Sequence, residues 1–270
     1  MSVAVVTGSS SGIGRATALE LAAKGHSMVL HARKNIEGLQ TTAKEIRTHY
    51  GQESLCVTAD ISCPRMCCDL VRSAFAWKGG VEIWVNNAGS DVLRPGIRDW
   101  PLEAKLELLL DVDVKGTVRL SRLVAQHMLN QDNRPPQTII NIGWDQAEVG
   151  MEGEPGQMFC TAKAAVQAFT RSLAKTYPIR ALCVAPGWIK TSWGEESASD
   201  YWDRRAIGES LQNRWGRPED VAQTIGWLTS REAEFVNGTV IEVNGGRRFW
   251  SEPNSDVRQK PRVKRELSDK

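Results

Sequence analysis

The chain is poor in the features that mark several protein classes. None of its 270 residues falls in an apolar run of membrane-spanning length, which for a helix is about 20 residues, so no membrane association is expected. Four histidines are scattered, and six cysteines include no second pair at zinc-ligand spacing. Cys63, Cys67 and Cys68 crowd into CPRMCC but read as free intracellular thiols, and no metal site is expected. No internal repeat or low-complexity stretch precedes residue 247, and no shift in composition marks a second domain. The N-terminal apolar run is too short for a secretory signal and leads straight into a glycine loop, so the expected location is cytoplasmic. Strong charge bias is missing too, with a net charge of +2. What imbalance exists sits in one place. After Gly246 come eight Lys/Arg against four Asp/Glu, which leaves the body slightly acidic and residues 247–270 a basic, aperiodic tail, expected to be disordered. A solvated end, not a nucleic-acid arm, is the expected reading of that tail.

What the chain does have is alternation. Short apolar runs, VAVVTG, SMVLHAR, SLCVTAD, VEIWVNNAG, QTIINIG, IRALCVAPG and GTVIEVNGG, read as strands. Between them lie helical patterns such as GRATALELAAKG, which ends on Gly25, a good C-terminal cap, and a long helical span over 103–131. Strands alternating with helices predict parallel pairing through right-handed crossovers. The expected class is α/β, a single doubly wound, Rossmann-type domain over residues 1–246, its parallel sheet flanked by helices on both faces.

The first strand-to-helix junction, VAVVTGSSSGIGRATA, carries the first chemistry. Gly8, Gly12 and Gly14 let the backbone turn sharply and approach a pyrophosphate with no Cβ in the way. The helix that follows offers free N–H groups and a positive dipole end to phosphates. At the end of the second strand stands LHARK, with no carboxylate to accept from a ribose 2′-hydroxyl. Arg33 and Lys34 favour a 2′-phosphate there, since a guanidinium pairs with phosphate in bidentate fashion, and His31 could add a contact. NADP(H) is expected over NAD(H).

The spacing Thr7-Gly8-xxx-Gly12-x-Gly14 resembles that of the short-chain dehydrogenase/reductase family. NNAG (Asn86 to Gly89), VTAD ending on Asp60, APGWIKT, GRPEDVA and NGTVIEVNGG agree, so the resemblance covers residues 3–246. It implies a dinucleotide site formed by Gly8, Ser10, Ser11, Gly12, Ile13, Gly14, Arg33, Asp60, Ile61, Asn87, Ala88, Gly89, Lys163, Pro186, Gly187, Ile189 and Thr191. It places Asp60 at the adenine, Thr191 at the nicotinamide carboxamide and Lys163 at the nicotinamide ribose. It also implies a small-molecule substrate and a homodimer or homotetramer, for which TAKAAVQAFTRSLAKTY offers a small, apolar helical face.

The family's catalytic set is where the chain departs. Phe159 stands at the tyrosine position, Trp144 beside Gly143 at the serine position, and Asp113 at the asparagine position; of the four, Lys163 alone matches. A general acid contributes roughly 10²- to 10⁴-fold, about 3–5 kcal/mol of barrier, so a substitute donor is expected. Asp145 is the first candidate and Asp113 the second, each acting directly or through a water. A carboxyl group desolvated beside the rings of Trp144 and Phe159 can have its pKa raised enough to donate. Glu148, Glu152 and Glu154 read as a solvated loop, and Cys160 points away from Phe159. On the substrate side Trp188, Trp193, Tyr201 and Trp202 are expected to wall an apolar pocket. The expected function is an NADP(H)-dependent oxidoreductase acting on a carbonyl or alcohol with a non-standard proton donor, the alternative a catalytically silent NADP(H)-binding sensor or regulator. A purely structural protein would have no need to keep so complete a dinucleotide site.

Overall fold

Continuous apolar, β-branched runs make strands that are covered on both faces. Strands β1 (Val3–Thr7), β2 (Ser27–Ala32), β4 (Ile83–Asn86), β5 (Thr138–Ile142) and β6 (Arg180–Pro186) are buried at every position. The outermost strands, β3 (Ser54–Thr58) and β7 (Val240–Val243), are only partly covered. All seven expected strands form, in the order β3-β2-β1-β4-β5-β6-β7, and every pairing is parallel. The chain winds outward from β1 to β3 and then crosses back to β4. That reversal opens a crevice beyond the carboxyl ends of β1 and β4, where α/β sheets bind ligands. The structure is a computed structural model and describes residues 2–131, 137–191 and 199–248.

Alternate residues of each strand feed two apolar layers. On one face Ala4, Val6 and Leu30 meet Leu21 of α1 (Gly12–Ala23), Ile46 of α2 (Ile36–Tyr50) and Ile225 of a later helix, Pro218–Leu228. On the other, Val3, Val5 and Ile139 meet Leu70 of α3 (Pro64–Ala76) and, further along, Val124 and Leu173. Each fully buried aliphatic side chain contributes about 1.5–3 kcal/mol, so packing, more than helix propensity, fixes these helices to the sheet.

The helix expected over 103–131 is in fact three pieces: α4 (Leu102–Leu109), a π-helical segment Leu110–Gly116, and α5 (Thr117–Leu129). The wide turn carries Asp113 and Gly116, and such bulges concentrate at functional sites. Helix α3 has no counterpart in the sequence reading, although Cys67, Leu70, Val71 and Ala74 repeat at helical spacing and Pro64 opens the first turn. Among the described residues the remaining α-helices are α6 (Gly153–Thr176), α7 (Asp200–Glu209) and α8 (Pro218–Leu228).

Just below the crevice a buried hydrogen-bond network ties α5 and α6 to the sheet. Asn86 Nδ2 donates to Ser121 Oγ at 2.9 Å and to Asn141 Oδ1 at 2.8 Å. Trp84 Nε1 donates to Asn86 Oδ1 at 2.7 Å, and Asn141 Nδ2 to Thr170 Oγ1 at 2.9 Å. Each buried amide finds partners, so the network rigidifies the floor on which the site stands. Arg247 and Arg248, assigned from sequence to the tail, are held in place: Arg247 bridges Ser210, and the Arg248 N–H donates to the Glu209 carbonyl at 2.9 Å. The rest of the expected tail lies outside the described residues.

Candidate active site

Where β1 ends, the chain turns through Gly8 and Gly12, whose φ angles of +68° and +54° suit glycine. Gly14 is required for a different reason. A Cβ there would stand 2.1 Å from the Gly8 carbonyl oxygen and 2.4 Å from Asn87 Nδ2. Asn87 closes the loop, donating from Nδ2 to the carbonyls of Thr7 (2.9 Å) and Gly8 (3.2 Å). Thr7 Oγ1 in turn accepts from the N–H groups of Asn87 (2.9 Å) and Ala88 (3.0 Å). Ser11 begins α1 without using its own side chain as a cap, and Ser11 to Gly14 line the crevice, so the positive end of the α1 dipole faces it.

The crevice is one continuous cleft of about 810 Å³. It brings together Gly8, Ser10, Ser11, Gly12, Ile13, Gly14, Arg33, Asp60, Ile61, Asn87, Ala88, Gly89, Lys163, Pro186, Gly187, Ile189 and Thr191, the full set expected to hold a dinucleotide. Arg33 and Lys34 are exposed at the end of β2. Burial works against ionisation of Asp60, but hydrogen bonds from Ser62 and the charges of Arg33 and Lys34 outweigh it and hold its carboxyl below the usual range. His31 is not available as a ligand. Its Nδ1 accepts from the Gly8 N–H at 3.3 Å and its Nε2 donates to the Ala59 carbonyl at 3.0 Å, while burial lowers its pKa, so the ring is neutral and fully used.

At the other end of the cleft, Lys163 Nζ lies 2.9 Å from Asp113 Oδ2 and donates to the Ile142 carbonyl at 3.3 Å. Asp113 is 2% exposed, and its Oδ1 accepts from the Ser90 N–H at 2.7 Å. Gly89 leaves room for it, since a Cβ there would stand 2.8 Å from Asp113 Oδ2. Phe159, one helical turn before Lys163, and Trp144 both line the cleft. Their rings meet edge to face, centroids 6.1 Å apart at 70°. Gly143 cannot carry a side chain at that turn, because a Cβ would lie 2.7 Å from Cys183 Sγ. Trp144 is therefore the side chain that the strand end presents. Neither Trp144 nor Phe159 has a hydroxyl.

Asp145 does not reach this cleft. It lines a separate small cavity with Glu209, Asn244 and Arg247, behind Trp188. Its Oδ2 accepts from Asn244 Nδ2 at 3.2 Å and its Oδ1 has no hydrogen-bond partner among the described residues. Burial pushes its carboxyl up to about 6, against the pull of Arg247. The raised pKa suits an acid, but a donor must come within hydrogen-bond reach of the reacting oxygen, and this one faces the wrong side. The other loop acids are paired, not merely solvated: Glu148 with Arg171 at 2.5 Å, Glu152 with Arg205, and Glu154 with Lys105. Cys160 donates to the Gln146 carbonyl at 3.3 Å and is not part of the cleft wall.

Trp188 and Trp202 line the cleft as expected; Tyr201 does not, and Trp193 lies outside the described residues. Trp215, absent from the sequence reading although it ends the same tryptophan-rich stretch, completes the wall. The Trp188 ring sits 5.4 Å from that of Trp202 and 6.2 Å from that of Trp215. Trp188 Nε1 donates to Glu209 Oε2 and Trp215 Nε1 to Asp203 Oδ1, both at 2.7 Å. Arg205 lies over the rings of Trp188 and Trp202, and is paired with Glu152 and, at 2.7 Å, with Glu209. The i,i+4 spacing of Arg205 and Glu209 was the available sequence signal for this brace.

Residues 8–248 match the family model described as enoyl-(acyl carrier protein) reductase. The chain is 34% identical over 251 residues to the 3beta-hydroxysteroid dehydrogenase 1 of Eggerthella lenta, covering 90% of this chain and 92% of that one. It is also 34% identical over 247 residues to nodulation protein G of a Rhizobium species, covering 90% and 95%. Among solved structures, a short-chain dehydrogenase from Burkholderia cenocepacia in complex with NADP superposes with a TM-score of 0.79 at 27% identity, covering 91% of this chain and 97% of the other. The chain belongs to the short-chain dehydrogenase/reductase family. Among the described residues no helix is long and apolar enough to cross a membrane, and no three His, Cys, Asp or Glu side chains form a metal-holding group.

Proposed function

We propose that the chain is an NADP(H)-dependent oxidoreductase whose substrate is a carbonyl compound or alcohol and whose proton donor is not the usual tyrosine. One observation carries this reading: a single cleft joins the glycine cradle at β1 to Lys163 on α6. The residues fit the dinucleotide. The close approach of Gly14 to Gly8 and Asn87 leaves a cradle that any larger residue would fill, and the end of β2 offers Arg33 and Lys34 where an NAD-preferring site would carry a carboxylate. The Burkholderia cenocepacia neighbour was solved with NADP. When bound, the reduced nicotinamide supplies a hydride.

The chain's own residues do the rest. Arg33 and Lys34 hold the 2′-phosphate, the first turn of α1 holds the pyrophosphate, and Lys163 holds the nicotinamide ribose. With Asp145 facing away, the proton source of this reading is Lys163 Nζ and a water that it and Asp113 orient beside Phe159. The rings of Trp144, Trp188, Trp202 and Trp215 position the substrate and exclude bulk water. Self-association as a homodimer or homotetramer through α5 and α6, and a cytoplasmic location, belong to the same reading.

A second reading, a silent NADP(H) sensor, is favoured by Trp144 and Phe159, which fill both hydroxyl positions with rings. One experiment tests the two. NADPH and NADH are titrated by fluorescence, followed by a screen of ketones and aldehydes. Tighter NADPH binding with carbonyl turnover supports the oxidoreductase; tighter NADPH binding with no turnover supports the sensor; no dinucleotide binding defeats both. Light scattering on the same sample reads the oligomer.

A further inference from the structure

Three departures from the family pattern meet at one end of the cleft, and all three change what kind of electrophile it can hold. We infer that the cleft takes a second substrate class, planar cyclic iminium cations, and reduces their C=N⁺ bond to an amine. This rests on the reading of the cleft as an NADP(H) site.

The first departure concerns the proton. Carbonyl reduction requires a proton at oxygen as the hydride arrives, and neither Phe159 nor Trp144 carries an O–H. An iminium ion is already activated by the charge on its nitrogen. Its carbon takes the hydride, the π pair settles on nitrogen as a lone pair, the nicotinamide is left oxidised, and no proton changes hands. A site without the tyrosine hydroxyl, a kind of group worth roughly 10²- to 10⁴-fold in carbonyl chemistry, loses nothing on this substrate.

The second departure concerns what replaced the hydroxyls. Aromatic faces attract cations, and Trp144 and Phe159 present rings at the reaction end. Across the cleft, Trp188 and Trp215 have committed their indole N–H groups to Glu209 and Asp203, so they offer ring surface and no hydrogen bond to a carbonyl oxygen. Arg205 lies over Trp188 and Trp202, but its charge is matched by Glu152 and Glu209.

The third departure is Asp113. A lysine facing a neutral side chain would repel an incoming cation. Here Asp113 Oδ2 stands 2.9 Å from Lys163 Nζ, so the pair is neutral as a whole. Beyond the phosphate end, the cleft's other ionic side chains among the described residues are Asp91 and Arg94, exposed and opposite in sign.

The test uses the full chain with NADPH and two probes of similar size: N-methyl-3,4-dihydroisoquinolinium, whose charge is permanent, and neutral 1-tetralone. NADPH loss above the protein-free rate and the amine product by mass spectrometry report turnover. Tryptophan fluorescence of the NADP⁺-loaded protein reports binding. We expect kcat/KM for the iminium to exceed that for the tetralone by at least tenfold. Asp113→Asn, and separately Trp144→Ala, should each lower the iminium-to-tetralone affinity ratio about tenfold. Tetralone turnover without iminium turnover overturns the inference and leaves the oxidoreductase reading standing. An affinity ratio unmoved in both folded variants overturns it as well. NADPH binding with turnover of neither probe defeats both readings.

Discussion

The two halves of the cleft are built from different materials. One half is mostly backbone: glycine turns at Gly8 and Gly12, the first turn of α1, and Asn87 clasping two carbonyls. The other half is mostly side chain: Trp144, Phe159, Trp188, Trp202 and Trp215, the last three braced from behind by the acids and arginine of α7. Backbone sites tolerate little change, because a Cβ either fits or collides. Side-chain walls can be rebuilt one residue at a time while the sheet beneath stays the same. The contrast explains how one chain can keep a glycine-lined cradle at one end of the cleft while rings replace hydroxyls at the other.

The sharpest way to break the contrast is Gly14→Val. The new side chain would drive into the Gly8 carbonyl, so NADPH binding should fall by about 10³-fold or more, read by fluorescence titration, with circular dichroism to separate lost binding from lost fold. Next is Lys163→Met, which leaves the buried Asp113 charge without its partner. Thermal or urea denaturation should show a loss of about 3–5 kcal/mol, and adding Asp113→Asn should restore most of it. On the side-chain half, Phe159→Tyr combined with Trp144→Ser should raise ketone reduction about 10²-fold; an unchanged rate would mean that the altered wall is not what limits carbonyl chemistry.

The smallest effect falls outside both halves. Burial raises the Asp145 carboxyl from 3.8 to about 6. Its folded pKa is above its unfolded value, so the folded state holds the extra proton between those values. The stability linked to it is fully present below pH 3.8 and lost as pH rises through about 6. Asp145→Asn should therefore be more stable than the parent at pH 7, by on the order of 2 kcal/mol, with the advantage shrinking toward pH 4. Urea midpoints at the two pH values check it.

Much of the molecule was legible in its residues, for identifiable reasons. The seven strands could be read because a strand buried on both faces is a continuous apolar run. The cradle could be read because glycine spacing at a strand-helix junction has one main physical use. Asp145 misled because its composition and desolvation suit an acid, whereas its direction is set by geometry. Neighbouring residues at a strand end point to opposite sides, so once Trp144 faces the cleft, Asp145 faces away. The π-helical turn at Asp113 left no mark in the sequence, since its residues are compatible with an ordinary helix. Glu148, Glu152 and Glu154 looked solvated because their cations, Arg171, Arg205 and Lys105, come from three different helices.

The short antiparallel clip at the end of the described chain ties two distant stretches into one mechanical part. The Leu211 N–H donates to the Gly246 carbonyl and the Arg248 N–H to the Glu209 carbonyl. Glu209 is the residue that holds both Trp188 and Arg205. Two backbone hydrogen bonds and one carboxylate therefore couple the position of Gly246 and Arg248 to the aromatic wall, so a substitution at either, remote in sequence, can shift the tryptophans.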